Sequence, residues 1–323
     1  MGNCNCVYRD KQDVLIDRLG TKDIDDLSRI NPLKLKYIIK LQSQIKGYLL
    51  RKSFFKTYER LFRKNHFQTI TDKEINSLFN KYPPLSNVNA ILQPSKRLKN
   101  KAVYFGEWLN NQKYGRGILC WIDGSRYEGY WVNDKANIKG KLIHTDNCYY
   151  EGQFKDDKAD GYGIYIHLDG SKYEGFWQND LQEGEGKETW PDGSIFTGVY
   201  SNGEKCGKGY FKWADGSEFE GEFKNNCFNG KGVYTWSDKR KYIGLWLNNK
   251  MEGEGLFIWP DNRKYQGEYR NDKKCGFGIF EWADGRKYKG YWSEGKQEGE
   301  GEFFDNKVWR RGIWKNGNLD HWI

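Results

Sequence analysis

The sequence contains no run of about 18 apolar residues and no secretory signal, so neither a membrane-spanning helix nor export is expected. Its seven cysteines, at positions 4, 6, 120, 148, 206, 227 and 275, form no disulfide framework and point to a reducing, cytosolic compartment. CxxC and HExxH are both missing, and Cys4 and Cys6 stand too close together for a zinc knuckle. Neither a metal nor a cofactor is therefore expected. Histidine is scarce, with 4 in 323 residues, and none has a nucleophile or carboxylate partner suggested by the sequence. The stretch from Gly184 through Gly186 and Lys187 to Thr189 has the look of a phosphate loop. It fails because Lys187 is not followed directly by Ser or Thr, and a strand rather than a helix comes next. These absences argue against an enzyme. Apolar residues make up only 37% of the chain and the mean hydropathy is −0.93, which excludes one thick aliphatic core.

What is abundant is aromatic residues, at 17%, and glycine, at 38 residues. Aligned at a step of 23, the chain repeats without a gap. An opening ring recurs at Tyr104, Tyr127, Tyr150, Tyr173, Phe196, Phe219, Tyr242, Tyr265 and Tyr288. Each opens the pattern aromatic-x-Gly-x-aromatic, the second ring being Trp108, Trp131, Phe154, Trp177, Tyr200, Phe223, Trp246, Tyr269 or Trp292. A polar turn such as Asn110-Asn111 follows, then Gly-x-Gly, then a closing aromatic run that ends at Trp121, Trp190, Trp213, Trp236, Trp259 or Trp282. An Asp-Gly such as Asp123-Gly124 turns the chain into the next copy. Ring, glycine and ring at alternate positions share one face of a strand, with charged or polar residues mostly between them. Each copy is thus predicted to be a two-stranded hairpin, its Asp-Gly a tight turn and its glycines a bed for a neighbouring copy's ring. One hairpin cannot bury its rings alone, so the copies must stack. Eighteen strands at ~4.8 Å would make a ribbon of about 85 Å.

The copies resemble the MORN repeat family closely, as in Tyr127-Glu128-Gly129-Tyr130-Trp131 and Lys172-Tyr173-Glu174-Gly175-Phe176-Trp177. The resemblance implies a mainly β fold: an elongated single-layer antiparallel sheet of about nine hairpins over 104–323 with a C-terminal cap, serving as a scaffold. Its candidate aromatic docking face comprises Tyr104, Trp108, Tyr127, Trp131, Tyr173, Trp177, Trp213, Trp246, Trp282 and Trp292, for a protein partner that the sequence does not identify. Three departures stand out: Ile138 replaces the first glycine of Gly-x-Gly, His144 and His167 replace Trp, and Arg310 to Trp314 look like a partial tenth copy.

Charge divides the chain. Residues 1–103 hold 21 Lys and Arg against 9 Asp and Glu; by difference from 53 and 44, the remainder holds 32 against 35. A basic head suits an anionic membrane surface or an acidic protein, and no aromatic-plus-basic motif points to nucleic acid. Within 34–64, ten Lys and Arg face the single acid Glu59, with apolar residues at three- and four-residue steps from Ile38 to Phe62, the pattern of a basic amphipathic helix. Residues 41–54 satisfy the fixed positions of the IQ motif of calmodulin-binding helices. By that resemblance Leu41 and Ile45 anchor in a lobe of calmodulin or a related EF-hand protein, and Gln42 bonds its backbone. Lys46 and Arg51 meet its acidic rim, Gly47 permits close approach, and Phe54 completes the motif. The open alternative is a basic helix that packs on the repeats or lies on lipid. At the start, Gly2 suits myristoylation and Cys4 and Cys6 palmitoylation, with Cys6 standing where Ser or Thr is usual.

The expected organisation is a tail at 1–33, a basic helical region at 34–84 with a short helix at 72–82 opened by the Thr71 to Glu74 capping box, and a linker or edge cover at 85–103. The functional expectation is an adaptor tethered at the cytoplasmic face or cell cortex. The rival is a structural subunit of the ciliary axoneme that carries a permanent light chain.

Overall fold

The computed structural model describes residues 70–86 and 89–323, which contain one helix and 21 strands paired antiparallel. The IQ motif, the basic amphipathic segment and the acylation signal expected from the sequence lie outside the described residues. Two compact units are delimited, one ending at Leu168 and the other running from Asp169 to Ile323.

In the first unit, helix α1 (Asp72–Lys81) starts at Thr71, whose side chain accepts from the Glu74 amide while the Glu74 carboxylate accepts from the Thr71 amide. This is the capping box read from the sequence. Pro83 and Pro84 follow the helix, consistent with its end at Lys81. Seven strands come next: β1 (Ile91–Arg97), β2 (Val103–Leu109), β3 (Gln112–Cys120), β4 (Arg126–Val132), β5 (Lys135–Ile143), β6 (Tyr149–Lys155) and β7 (Lys158–Ile166). The stretch expected as linker or edge cover, 85–103, therefore contains a strand. β1 pairs with β2, and its register slips between Gln93 and Lys96, around Pro94, which has no amide hydrogen to give to the ladder.

The second unit holds fourteen strands, β8 to β21, running from Lys172–Gln178 to Asn318–Trp322. Trp309–Lys315 supplies the partial tenth copy: Gly312 pairs with Gly301, and the Trp314 ring meets Tyr288 at 4.8 Å.

The hairpin turns within copies are two-residue turns with both residues at positive φ, as at Asn110-Asn111 (49°, 63°), Asn248-Asn249 (49°, 66°) and Asn271-Asp272 (49°, 68°). Asn and Asp tolerate this left-handed region better than other side-chain-bearing residues, and such turns match the right-handed twist of strand pairs. The Asp-Gly pairs occupy the looser links between copies. There only the glycine is left-handed, and the Asp carboxylate accepts from the amide two residues on, as from Ser125 to Asp123 and Ser217 to Asp215. Successive copies are tied at the hairpin ends as well: the Met251 amide donates to Asp272 Oδ1 of the next turn, and the Asp272 amide returns a bond to the Met251 carbonyl.

Candidate interaction faces of the repeat sheet

Glycine faces glycine across the pairings of each unit. Gly106 pairs with Gly117 and Gly117 with Gly129; likewise Gly244 pairs with Gly255 and Gly255 with Gly267. The opening ring of each copy lies in the resulting trench. A Cβ on Gly117 would come within 2.5 Å of Tyr104 ring carbon Cε2, and one on Gly255 within 2.4 Å of Tyr242 Cε2. The nearest ring over each glycine pair belongs to the same copy, because the residue two positions before the glycine shares its face, and a neighbouring copy's second ring comes close as the sequence suggested, with Phe223 at 3.0 Å from a Cβ on Gly209 and Trp246 at 3.2 Å from one on Gly232. The phenol reaches across the trench and donates to the backbone carbonyl three residues on, from Tyr127 to Tyr130 at 3.0 Å and from Tyr242 to Leu245 at 3.0 Å.

Where a preceding copy lies in the same unit, the second ring wedges edge-on against two opening rings, its own and that of the preceding copy. Trp131 stands 4.9 Å from Tyr127 and 5.6 Å from Tyr104; Trp292 stands 5.4 Å from Tyr288 and 5.1 Å from Tyr265. Such T-shaped pairs bring edge to face, the arrangement the ring quadrupole favours. The Trp131, Trp246 and Trp292 indoles also donate to the carbonyls of Gly117, Gly232 and Gly278. Of the expected aromatic face, Tyr104, Trp108, Tyr127, Trp131, Tyr173, Trp246 and Trp292 are accordingly buried in this ladder. Trp177, Trp213 and Trp282 are half-buried.

Trp213 and Trp282 belong to a second row on the same face of the second unit, assembled from the closing aromatic runs. Here Phe211 stacks on Trp213 at 4.3 Å, Trp213 meets Tyr234 at 5.3 Å, and Trp236 meets Phe257 at 5.1 Å. Trp259 to Phe280, at 5.6 Å, and Trp282 to Phe303, at 5.8 Å, extend the series. The Trp rings of this row are half-buried, so it offers ring edges where the inner rings of the second unit, Trp177 excepted, are buried. Arg240, Arg263 and Arg286 each lay a guanidinium over the row's Trp236, Trp259 and Trp282 at 5.4–5.7 Å while bonding Asp238, Asp261 and Asp284.

Between the two rows lies Lys274, its ammonium 4.6–5.2 Å from the rings of Trp259, Tyr265, Phe280 and Trp292. Burial pulls its pKa down to about 8. Burial likewise pushes the Cys120 and Cys148 thiols up to about 11, which suits packing and not nucleophilic chemistry. Among the described residues no group of His, Cys, Asp and Glu could hold a metal ion, and no helix is long and apolar enough to cross a membrane.

The opposite face differs between the units. In the first, α1 covers it: Leu78 and Tyr82 pack with Ile118, Cys120 and Tyr130, and Phe79 sets its ring edge-on to Phe105. The Tyr130 hydroxyl donates to the Pro83 carbonyl at 2.7 Å, Glu74 pairs with Arg126, and Lys81 with Glu151 at 3.0 Å. Burial acts to raise the Glu74 pKa, but the hydrogen bonds from Thr71 and the Arg126 charge outweigh it, and the carboxyl lies below its ordinary value. Sequence reasoning missed this use of the face. The signal available was Phe105, at a position where most other copies carry a charged or polar residue, in step with the apolar Tyr130 and Ile118 on the same face.

A sheet built from one repeating hairpin, with a closed ring ladder and a half-open aromatic row beside it, defines a repeat scaffold. Comparison with known families finds the MORN repeat at 104–126, 127–149, 150–172, 173–195, 196–218, 219–239, 242–262, 265–285 and 288–307. These nine copies cover more than half of the chain, which belongs to the MORN repeat family, a family of repeat scaffolds for protein interaction. Comparison with curated proteins finds no match. Among solved structures, the chain is similar to the TCP domain of SAS-4 (dCPAP) of Drosophila melanogaster, solved in complex with a proline-rich motif of Ana2 (dSTIL). Identity is 10% and the TM-score 0.32, over 58% of this chain and 94% of that one. The G-box domain of the microcephaly protein CPAP is similar at 12% identity and a TM-score of 0.35, over 57% and 97%. A streptogramin B lyase follows at 11% and 0.16, over 74% and 85%. Likenesses this distant carry no functional argument.

Proposed function

We propose that the protein is a membrane-tethered adaptor whose repeat array docks a protein partner along the half-buried aromatic row of the second unit. The observation that carries the docking surface is the difference between the two rows. Inner rings are consumed by the glycine trench, whereas Trp213, Trp236, Trp259 and Trp282 keep part of their surface in water. Large rings that are rigid and half-exposed are good anchors, because they lose little conformational freedom on binding. The tether rests on the sequence: acylated Gly2, Cys4 and Cys6 with the basic segment 34–64 hold the head at the cytoplasmic leaflet. The IQ motif at 41–54 binds calmodulin or a related EF-hand protein. Calmodulin and anionic lipid then compete for one set of basic residues, an electrostatic switch.

The test is co-sedimentation of the full-length acylated protein with phosphatidylserine-containing liposomes, followed by addition of calmodulin. Release from the liposomes supports the reading. Protein that stays bound while calmodulin co-sediments with it refutes the switch, and an N-terminus found unacylated by mass spectrometry removes the tether.

A further inference from the structure

The half-buried row of the second unit repeats at a length that one kind of extended chain can match. Trp236 and Trp259 each stand against Phe257, at 5.1 and 4.4 Å, and Trp259 and Trp282 each against Phe280, at 5.6 and 4.7 Å. Successive tryptophans are therefore about 10 Å apart or less, in keeping with two strands of ~4.8 Å per copy. A polyproline II chain turns once in three residues and advances about 9.3 Å per turn, so the same side of it faces the row at each tryptophan. A β-strand shows one side every ~6.6 Å, and an α-helix every ~5.4 Å or, over two turns, ~10.8 Å. Both fall out of step along three tryptophans.

Charge selects what that side must carry. Arg240, Arg263 and Arg286 lie over these same three rings, at the links between copies. Asp238, Asp261 and Asp284 hold them there, and each carboxylate is spent in doing so: Oδ1 accepts from the arginine's amide and Oδ2 from its Nε. The terminal nitrogens of each guanidinium carry the remaining N–H donors, which have no partner among the described residues, and the arginine side chains are 41–47% exposed. On the strands between Phe219 and Phe303, alternation and pairing put a single charged residue on this face, Lys274, while Lys241, Lys264 and Lys287 lie on the opposite one. Lys239 adds a base at the first link. The bases Lys239, Arg240, Arg263, Lys274 and Arg286 thus outnumber the acids Asp238, Asp261 and Asp284, whose oxygens are already bonded. Paired guanidinium donors facing outward are the geometry that takes a carboxylate.

We propose that the row binds an acidic segment of a partner protein in the polyproline II conformation, running across the strands with a carboxylate at every third residue. One carboxylate meets each of Arg240, Arg263 and Arg286, and the residues between them pack on the open edges of Trp236, Trp259 and Trp282. This rests on the reading of the row as a docking surface and names what docks there.

The experiment measures the fluorescence anisotropy of labelled synthetic peptides titrated with the full-length protein, and footprints each complex with hydroxyl radicals. The probe is four repeats of Glu-Pro-Pro, in which proline fixes the conformation. Four repeats of Glu-Pro-Pro-Pro keep its charge and conformation but set the carboxylates about 12.4 Å apart, and four repeats of Lys-Pro-Pro reverse the charge. The probe should bind about tenfold or more tightly than either control and protect Trp236, Trp259 and Trp282 from oxidation. The triple variant Arg240→Ser, Arg263→Ser, Arg286→Ser should bind it about tenfold more weakly. Serine already stands at this link position as Ser125, Ser194 and Ser217, and unchanged circular dichroism checks that the variant folds. A control that binds as well as the probe, or a folded triple variant that binds it undiminished, overturns the proposal. If a control protects the row in place of the probe, the row remains a docking surface for another class of segment. If no peptide protects these tryptophans, the proposal and the docking reading of the row both fall.

Discussion

Adding one methyl group at Gly255 tests how the rings are seated. The Cβ of Gly255→Ala would lie 2.4 Å from both Cε2 and Oη of Tyr242, a fully buried ring. Two relaxations are open. Shifting the strands to make room costs about 1–3 kcal/mol, as overpacking does. Expelling the ring forfeits its burial, at ~3–5 kcal/mol by analogy with large-to-small core changes, and its bond to the Leu245 carbonyl as well. The cheaper route sets the expectation at roughly 2–3 kcal/mol. Gly216→Ala is the contrast: its Cβ would meet nothing within 4 Å, but the backbone sits at φ +83°, so its cost is conformational, about 1–2 kcal/mol. Repeat arrays do not unfold all-or-none, so the readout is native-state hydrogen exchange across Lys241–Leu247 and Lys250–Ile258. In a Tyr242→Ala background, Gly255→Ala should cost almost nothing further, since the clash partner is gone. If the cost were undiminished there, the glycine row would not exist to seat the ring.

Further expectations follow from single positions. Ile138 holds φ 62° where other copies have glycine, so Ile138→Gly should raise thermal stability, relieving roughly 1–2 kcal/mol of left-handed strain; a lower midpoint would contradict this. Tyr242→Phe should lower the local opening energy by about 1 kcal/mol through the lost bond to the Leu245 carbonyl, and an unchanged exchange rate would show that the bond contributes nothing. Burial holds the Lys274 pKa at about 8 against an ordinary 10.5, so the folded state binds its proton less tightly than the unfolded state. Below pH 8 both states are protonated and the penalty is complete; between pH 8 and 10.5 only the unfolded state keeps the proton, so this contribution rises with pH. Lys274→Met should therefore be more stable than the parent near neutrality, with the gap narrowing as pH is raised through this window in urea titrations. A pH-independent gap would refute the assignment.

The hairpin, its period and its stacking were legible because each copy writes the same alternation, and nine registers reinforce one another. Less legible was which ring does what. Trp246 and Trp213 are the same residue type, yet the first is clamped between two opening rings while the second stands near the link between copies with part of its surface in water. That distinction depends on pairing register, not residue type. The strand Ile91–Arg97 was hidden because Pro94 interrupts its alternation, and only the backbone of Val103–Leu109 gives it a partner. The docked helix was half-read: its capping box is local and visible, but its seat combines Phe105, Ile118 and Tyr130 from three strands.

The division of the aromatic face into a closed ladder and a half-open row is tested most directly by hydroxyl-radical footprinting of the full-length protein, with oxidation read at single tryptophans by mass spectrometry. Trp131, Trp246 and Trp292 should be protected, while Trp213, Trp236, Trp259 and Trp282 are oxidised several-fold faster, in line with their burial. Oxidation of Trp246 and Trp292 at the rate of Trp236 and Trp259 would show that the inner ladder is open and that the two rows are not distinct.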